Sequence, residues 1–291
     1  MIYTITLNPA IDLYSELGNS LKIGATNRAK REYVLPGGKG INCSLTLNRL
    51  GCKNEAIAFV SGPTGIMLDI MLSGMGVATH LIPCSDTSDI TRINLKLKGC
   101  DRSETEINGV GPSLSIADIE KLKDYLDTIL TDDDFVIVSG NASASLGNNI
   151  YFELTADIAN FSLDCEGDLL LNALSNKPYV IKPNLHELEE IAKRELTSDD
   201  DIIEEAAELI RSGAQNVIVS LGAQGAILVD GNFISYKVPA YVNPDSDAVI
   251  CSTNGAGDTL LASFIYYSKI VGLSLEEALQ NAVVIAGKSC Y

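Results

Sequence analysis

The sequence predicts an α/β fold, with a mostly parallel sheet between two helical layers and a small sheet standing off it as a lid. Three observations carry this. Short, nearly continuous apolar runs bounded by turn residues recur along the chain, as strands buried on both faces should. Segments of helical period separate most of them, and strand-helix alternation favours parallel pairing. Residues 12–35 and 89–108 break the rhythm by alternating polar and apolar residues, the pattern of strands wetted on one face.

In chain order, the apolar runs are IYTITLN (2–8), AIAFVSG (56–62), FVIVSG (135–140), FSLDC (161–165), YVIKPN (179–184) and NVIVSLG (216–222). After the glycines of LPGGKG, a helix directs Ile41, Leu45 and Leu47 inward and ends at Gly51. ADIEKLKDYLDTIL (117–130) places Ile119, Leu122, Leu126 and Ile129 on one stripe, and DDIIEEAAELIRSG (200–213) ends in a basic turn with a C-cap glycine. A further helix starts near Gly255 and runs through Leu260, Leu261, Phe264 and Ile265. TRINLKLKG carries the one-sided alternation of the lid. No internal repeat, low-complexity segment or linker divides the chain, so residues 1–291 are read as one domain.

Composition narrows the function classes. The chain is 46% hydrophobic and 20% charged, an ordinary globular balance. Its net charge of −17 should repel nucleic acid and anionic membranes, so an anionic substrate needs local devices such as helix N-termini, placed cations or a bridging metal. Seven cysteines without a CxxC pair suit reduced thiols better than a disulfide framework or a zinc site. The start MIYTITLNP has no basic leader region, and no apolar run reaches the roughly 18 residues of a membrane span. The expectation is a cytoplasmic protein.

Two common phosphate motifs are absent. Gly38-Lys39 lacks the earlier glycine of a P-loop, whose place Tyr33 occupies, and Gly255 and Gly257 are followed by Leu260 where a dinucleotide fingerprint needs glycine. What remains is CSTNGAGDTLLASF (251–264). If a helix begins there, Gly255, Ala256 and Gly257 offer first-turn amides to an oxyanion, and Asp258 stands beside it, able to take a proton from an attacking alcohol. Phosphoryl transfer to a hydroxyl needs those two parts. The segment reads equally well as a glycine-rich helix start whose Asp is electrostatically favoured.

Four further clusters could be its companions, each with a plain structural reading as well. In LPGGKGIN, Gly37, Gly38 and Gly40 surround Lys39, and Asn42 falls in the first turn of a helix. Asp12 follows the first strand, where ligands of parallel sheets gather. In KPNLHE, Asn184 and Glu187 share a helix face, suited to a hydrated Mg²⁺ or to a capping box. Ser220, Gly222 and Gly225 make a tight strand-turn-strand that could border a nucleotide or be a plain hairpin. His80 and His186 form no metal constellation.

In this order NPAID, GGKGIN, TRINLKL, KPNLHE, VSLGAQGA and STNGAGDT resemble the ribokinase family of sugar kinases, also called the PfkB carbohydrate kinases, over nearly the whole chain. The resemblance implies a ribokinase-like three-layer α/β/α sandwich with a β-sheet lid, ATP as donor and Mg²⁺ as its metal. The details are similar to the branch that phosphorylates fructose 1-phosphate at its 6-hydroxyl; Thr91-Arg92-Ile93-Asn94 sets it apart from the tagatose 6-phosphate branch, the alternative. It implies Asp258 as general base and the amides of Gly255, Ala256 and Gly257 as anion hole. Asp12, Gly37, Gly38, Lys39, Asn42, Arg92 and Ser139 would then hold the sugar phosphate. Ser220, Gly222, Gly225 and Asn281 would border ATP, and Asn184 with Glu187 would organise Mg²⁺ through water. Pairing of relatives through their lids implies a homodimer. Three departures stand out: Ser139-Gly140-Asn141-Ala142-Ser143 where SGSLP is usual, Asn254 and Thr259 around the glycines where STVGAGDS is usual, and an end at AGKSCY earlier than the resemblance leads one to expect.

Overall fold

A computed structural model describes residues 1–86, 88–101, 103–245 and 252–291. Arg102, inside one expected lid segment, and Cys251, the first residue of the glycine-rich segment, lie outside the described residues. The strands are β1 (Ile2–Thr6), β2 (Ala10–Leu17), β3 (Ala29–Gly37), β4 (Asn54–Val60), β5 (Ala78–Pro83), β6 (Arg92–Lys98), β7 (Glu104–Ile107), β8 (Phe135–Ser139), β9 (Phe161–Asp164), β10 (Val180–Ile181), β11 (Val217–Ser220), β12 (Ala226–Val229) and β13 (Ser235–Val238). The helices are α1 (Lys39–Arg49), α2 (Gly62–Gly74), α3 (Ile116–Ile129), α4 (Ile150–Thr155), α5 (Gly167–Ala173), α6 (Leu185–Ala192), α7 (Asp199–Arg211), α8 (Ala256–Ile265) and α9 (Leu275–Lys288).

The described residues form a nine-stranded sheet in the order β13-β12-β11-β10-β9-β8-β1-β4-β5, parallel from β11 to β5 and antiparallel across β11, β12 and β13. The two-residue period of a strand explains why both faces are apolar. Val136 and Val138 of β8 point to one face, where Ile119 and Leu122 of α3, Tyr151 of α4 and Leu209 of α7 cover them. Phe135 and Ile137 point to the other, beneath Cys43 and Leu47 of α1, Phe264 of α8 and Ala282 of α9. That is the three-layer α/β/α sandwich the sequence predicts.

Helix ends follow local chemistry. The expected helix at 117–130 starts one residue earlier because Ser115 and Asp118 form a reciprocal capping box, and Ser198 with Asp201 does the same for α7. The regions 12–35 and 89–108 contribute a second, four-stranded sheet, β3-β2-β6-β7, with β2 parallel to β6 and the outer pairs antiparallel. Its register sets Asp12 beside Asn94, and Tyr14 beside Lys96 and Glu106, on one face. Leu13, Leu95 and Ile107 fall on the opposite face. Among the described residues no helix is long and apolar enough to cross a membrane, and six of the seven cysteines are free thiols.

Candidate active site

The site lies where strand ends meet the first turns of α1 and α8. Gly255 caps α8 with a φ of 76°, a left-handed conformation that costs a glycine nothing, and no side chain caps the helix. Among the described residues the amides of Gly255 and Gly257 have no hydrogen-bond acceptor, whereas the Ala256 amide already donates to the Thr253 carbonyl at 3.2 Å. The expected trio of free donors is therefore a pair with one shared member. An anion placed there meets the helix dipole and unpaired N–H groups together.

Asp258, in the first turn of α8, is only 6% exposed. Its Oδ2 accepts a 2.7 Å hydrogen bond from Asn42 Nδ2, across a sequence separation of 216 residues. Burial, reinforced by the nearby Asp164 charge, pushes the Asp258 carboxyl up to about 6, against the opposing pull of Asn42, Lys182 and Lys39. The approach of α1 to α8 is continued by Cys43 Sγ on the Asp258 carbonyl at 3.5 Å and by the Thr46 and Thr259 hydroxyls at 3.3 Å. Thr259 thus serves helix packing.

Gly40 lets α1 sit directly on the end of β1: a Cβ there would stand 2.8 Å from the Ile5 carbonyl oxygen and against Thr6 Oγ1. That seat aims Lys39 at the end of β9, where its Nζ lies 3.5 Å from Asp164 Oδ1 and 3.8 Å from Glu166 Oε1. Burial opposes the Lys39 charge, but Asp164, Glu187, Asp258 and Glu166 together hold its ammonium above the ordinary lysine range. A second cation, Lys182 at the end of β10, lies 3.7 Å from the same Asp164 oxygen and is 6% exposed. A Cβ on Gly257 would stand 3.2 Å from Lys182 Nζ, so this ammonium flanks the free amides of α8.

Asp164, Glu166 and Lys182 were missed in the sequence as site residues. A signal existed: Asp164 ends an apolar strand just as Asp12 follows one, and Lys182 interrupts the apolar run YVIKPN.

The lid brings its own group. Asp12 Oδ1 accepts from Asn94 Nδ2 at 2.8 Å, and Asn94 Oδ1 accepts from the Gly109 amide at 3.3 Å. Burial raises the Asp12 carboxyl, with Asn94, Lys96 and Arg92 pulling the other way. Gly37 packs on that carboxylate, since a Cβ there would lie 2.6 Å from Oδ1. Arg92 makes one long contact, Nη1 to the Gly109 carbonyl at 3.5 Å, and its buried Nε has no partner among the described residues. Burial lowers the Arg92 guanidinium. Gly38 is the N-cap of α1, wedged against Thr6 and Pro9.

Other expected positions land differently. Ser139, the last residue of β8, is fully buried and donates to Asp164 Oδ2 at 3.4 Å, so its hydroxyl is joined to the carboxylate that Lys39 and Lys182 share. In the altered loop after it, Asn141 donates to Glu166 at 3.0 Å. Asn184 and Glu187 form the capping box of α6, with Asn184 N donating to Glu187 Oε2 at 2.8 Å and Glu187 N to Asn184 Oδ1 at 2.9 Å. Glu187 Oε1 is left outside that box. Asn184 also bridges Ser220, which joins this pair to the end of β11. Gly222 borders open space, but Gly225 is a packing glycine whose Cβ would drive into the Val238 carbonyl. Asn281 is exposed and donates back to the Glu277 carbonyl on its own helix at 2.8 Å.

No cluster of three His, Cys, Asp or Glu suited to a metal occurs among the described residues. The donor set nevertheless fits a hydrated hard cation, since Mg²⁺ retains water and takes one or two carboxylates with substrate phosphates. The arrangement can do three things chemically. It can receive an oxyanion at the start of α8, balance it with two lysines, and accept a proton at Asp258.

Comparison with known proteins identifies the family. The sequence profile described as pfkB family carbohydrate kinase matches residues 3–290. A 1-phosphofructokinase of Borreliella burgdorferi is 35% identical, over 91% of this chain and 84% of its own. A D-tagatose-1-phosphate kinase of Bacillus licheniformis is 32% identical, over 97% and 90%. Among solved structures, phosphofructokinase-2 from Escherichia coli in complex with fructose-6-phosphate superposes with a TM-score of 0.88 at 26% identity, covering 99% of this chain and 93% of that one. Matched end to end by the family profile and by these kinases, the chain belongs to the pfkB family of carbohydrate kinases.

Proposed function

We propose that this kinase transfers the γ-phosphoryl group of ATP to the 6-hydroxyl of fructose 1-phosphate, giving fructose 1,6-bisphosphate and ADP. The observation that carries the reading is the buried Asp258 carboxyl, poised at about 6 between Asn42 and the open first turn of α8. A base with a pKa near neutrality is ionised at pH 7 yet still basic enough to take the alcohol proton. As the sugar oxygen bonds to the γ-phosphorus and the bond to the β-phosphate oxygen breaks, the proton passes to Asp258 and ADP leaves. The free amides of Gly255 and Gly257 and the Lys182 ammonium face the charge on the moving group.

Asp12 and Asn94 suit sugar hydroxyls, while Lys39 and Arg92, the latter with an unused buried N–H, suit the sugar's own phosphate. Ser220 and Gly222 border ATP in this reading. Glu187 Oε1 would hold hydrated Mg²⁺, which would neutralise charge on the phosphates of ATP. Two relatives bear names of ketose 1-phosphate kinases, which supports a 1-phosphate substrate.

Fructose 1-phosphate and tagatose 1-phosphate differ only in configuration at C4, so tagatose 1-phosphate is the second reading, on the strength of the D-tagatose-1-phosphate kinase match. Comparing kcat/KM for fructose 1-phosphate, tagatose 1-phosphate, fructose 6-phosphate and tagatose 6-phosphate with ATP and Mg²⁺ decides among them. A preference for either 6-phosphate overturns the reading, and ATP binding without any product points to a sugar-phosphate-binding protein. The apolar lid face that bears Leu13, Leu95 and Ile107 is covered, in our reading, by the lid of a second copy. A solution mass near 31 kDa at working concentration would count against that pairing.

A further inference from the structure

Asn254, the position where the glycine motif departs from the usual pattern, immediately precedes the N-cap of α8. Its side chain does not turn into the helix. Asn254 Nδ2 donates instead to Glu106 Oε1 on lid strand β7 at 2.8 Å, across 148 residues of sequence. The same Glu106 oxygen receives Lys96 Nζ at 2.8 Å. Lys96 stands 5.9 Å over the Tyr14 ring, Tyr14 stacks on Tyr33 at 4.8 Å, and Tyr14 lines one small hollow together with Glu106 and Asn254. Asp12 and Asn94 lie one step along the same lid face.

The other end of this connection is equally tied. Asn254 N donates to Ser252 Oγ at 3.1 Å, and Ala256 N donates to the Thr253 carbonyl at 3.2 Å. Ser252 N in turn donates to the Cys290 carbonyl at 3.3 Å. These bonds tie the backbone of Asn254 to the turn that presents the Gly255 and Gly257 amides. A hydrogen-bonded turn is thereby joined to the lid face by one polar bridge.

We propose that Asn254 is a positioning residue for phosphoryl transfer: its bond to Glu106 sets the distance between the lid, with its sugar-binding face, and the amides that receive the phosphoryl group. The inference rests on the reading of this site as an ATP-dependent sugar-phosphate kinase. Transfer needs the attacking oxygen within about 3.5 Å of phosphorus, and a misplacement of about 1 Å costs rate on the order of a hundredfold. One hydrogen bond at an exposed lid contact controls part of that distance. Asn254 touches neither the alcohol nor the transferred group in this role, so its loss should spare ATP binding.

The test is a double-variant cycle of Asn254→Val, Glu106→Ala and the two combined, with ATP, Mg²⁺ and the best sugar phosphate. Each single variant is expected to lower kcat about tenfold, the scale of one charge-assisted hydrogen bond, with KM for ATP within about twofold of the unmodified enzyme. The combined variant is expected to be no slower than the slower single, because both remove the same bond. ATP hydrolysed per sugar phosphorylated should rise in all three, since a loosened lid admits water. Hydrogen exchange at Glu104–Ile107, measured without substrates, should quicken in both single variants whatever the activity. Unchanged kcat and unchanged exchange in Asn254→Val, or fully additive losses in the pair, overturn the positioning role alone. An unmodified enzyme that turns over no sugar phosphate overturns the kinase reading itself.

Discussion

Asp258→Asn separates what this carboxylate does for catalysis from what it costs the fold. The 6% exposure and the neighbouring Asp164 raise its carboxyl from the ordinary 3.8 to about 6. A raised acid pKa means that the folded state disfavours the ionised form. The stability associated with this group is fully present below pH 3.8, falls as pH rises, and is lost once pH passes about 6. At about 1.4 kcal/mol per pH unit the penalty at pH 7 is about 3 kcal/mol. Asparagine carries no charge and can still meet Asn42. The variant should therefore be more stable at pH 7 by about 3 kcal/mol, a melting rise of about 5 °C for a chain of this size. The gap should close as pH falls toward 4. Loss of the base should lower kcat on the order of 10³-fold with little change in ligand binding. In the unmodified enzyme kcat/KM should rise with pH and level off above about 6. Paired calorimetry and steady-state kinetics from pH 4 to 8 read all of this. A variant that is less stable at pH 7, or one with near-normal turnover, would refute the reasoning.

Other perturbations probe the surrounding parts. Lys182→Met should cut kcat about a hundredfold through loss of a cation beside the α8 amides, and destabilise by about 3 kcal/mol because Asp164 would keep, among the described residues, Lys39 and Ser139 as side-chain partners; a loss below about threefold in kcat would remove Lys182 from the site. Glu187→Gln can keep the capping bond to Asn184 N while deleting the charge, so the Mg²⁺ needed for half-maximal rate should rise about tenfold with the melting temperature unmoved. An unchanged Mg²⁺ titration would leave Glu187 as a cap alone. Gly40→Ala should destabilise by about 3 kcal/mol in denaturant titration, since its Cβ meets the Ile5 backbone, which cannot yield as a flexible side chain would. A neutral result would mean that α1 can lift off β1.

Much of the architecture was legible because its signals are local. The runs at 135–140 and 216–222 are apolar on both faces, and β8 and β11 are central strands. TRINLKL alternates, and β6 sits in the lid. Helix α2 was harder to read, since GPTGIMLDIMLSG is apolar on every side and leaves Ile66 and Ile70 66% and 68% exposed, so no stripe marks its inward face. In the site, the glycine segments and Asp258 stood out because tight turns and helix starts have a restricted chemistry. Lys182 and Asp164 did not, because a charged residue ending a strand looks the same whether it is solvated or buried against a partner. The bond from Ser139 to Asp164 was not legible either, because it joins two strands 25 residues apart.

The sequence by itself determined the layered α/β architecture, the lid segments, and the helix starts that offer amides to an anion. Strand period, helix period and turn chemistry act within about ten residues, and each leaves its mark in the chain. Only the tertiary structure decided which of those parts meet. It set Asn42 on Asp258 across 216 residues, placed Lys39 and Lys182 on one Asp164 oxygen, and tied Asn254 to Glu106 across the lid. The raised Asp258 carboxyl belongs to that second class, because a pKa is set by burial and by the charges within a few ångströms, which no stretch of sequence holds by itself.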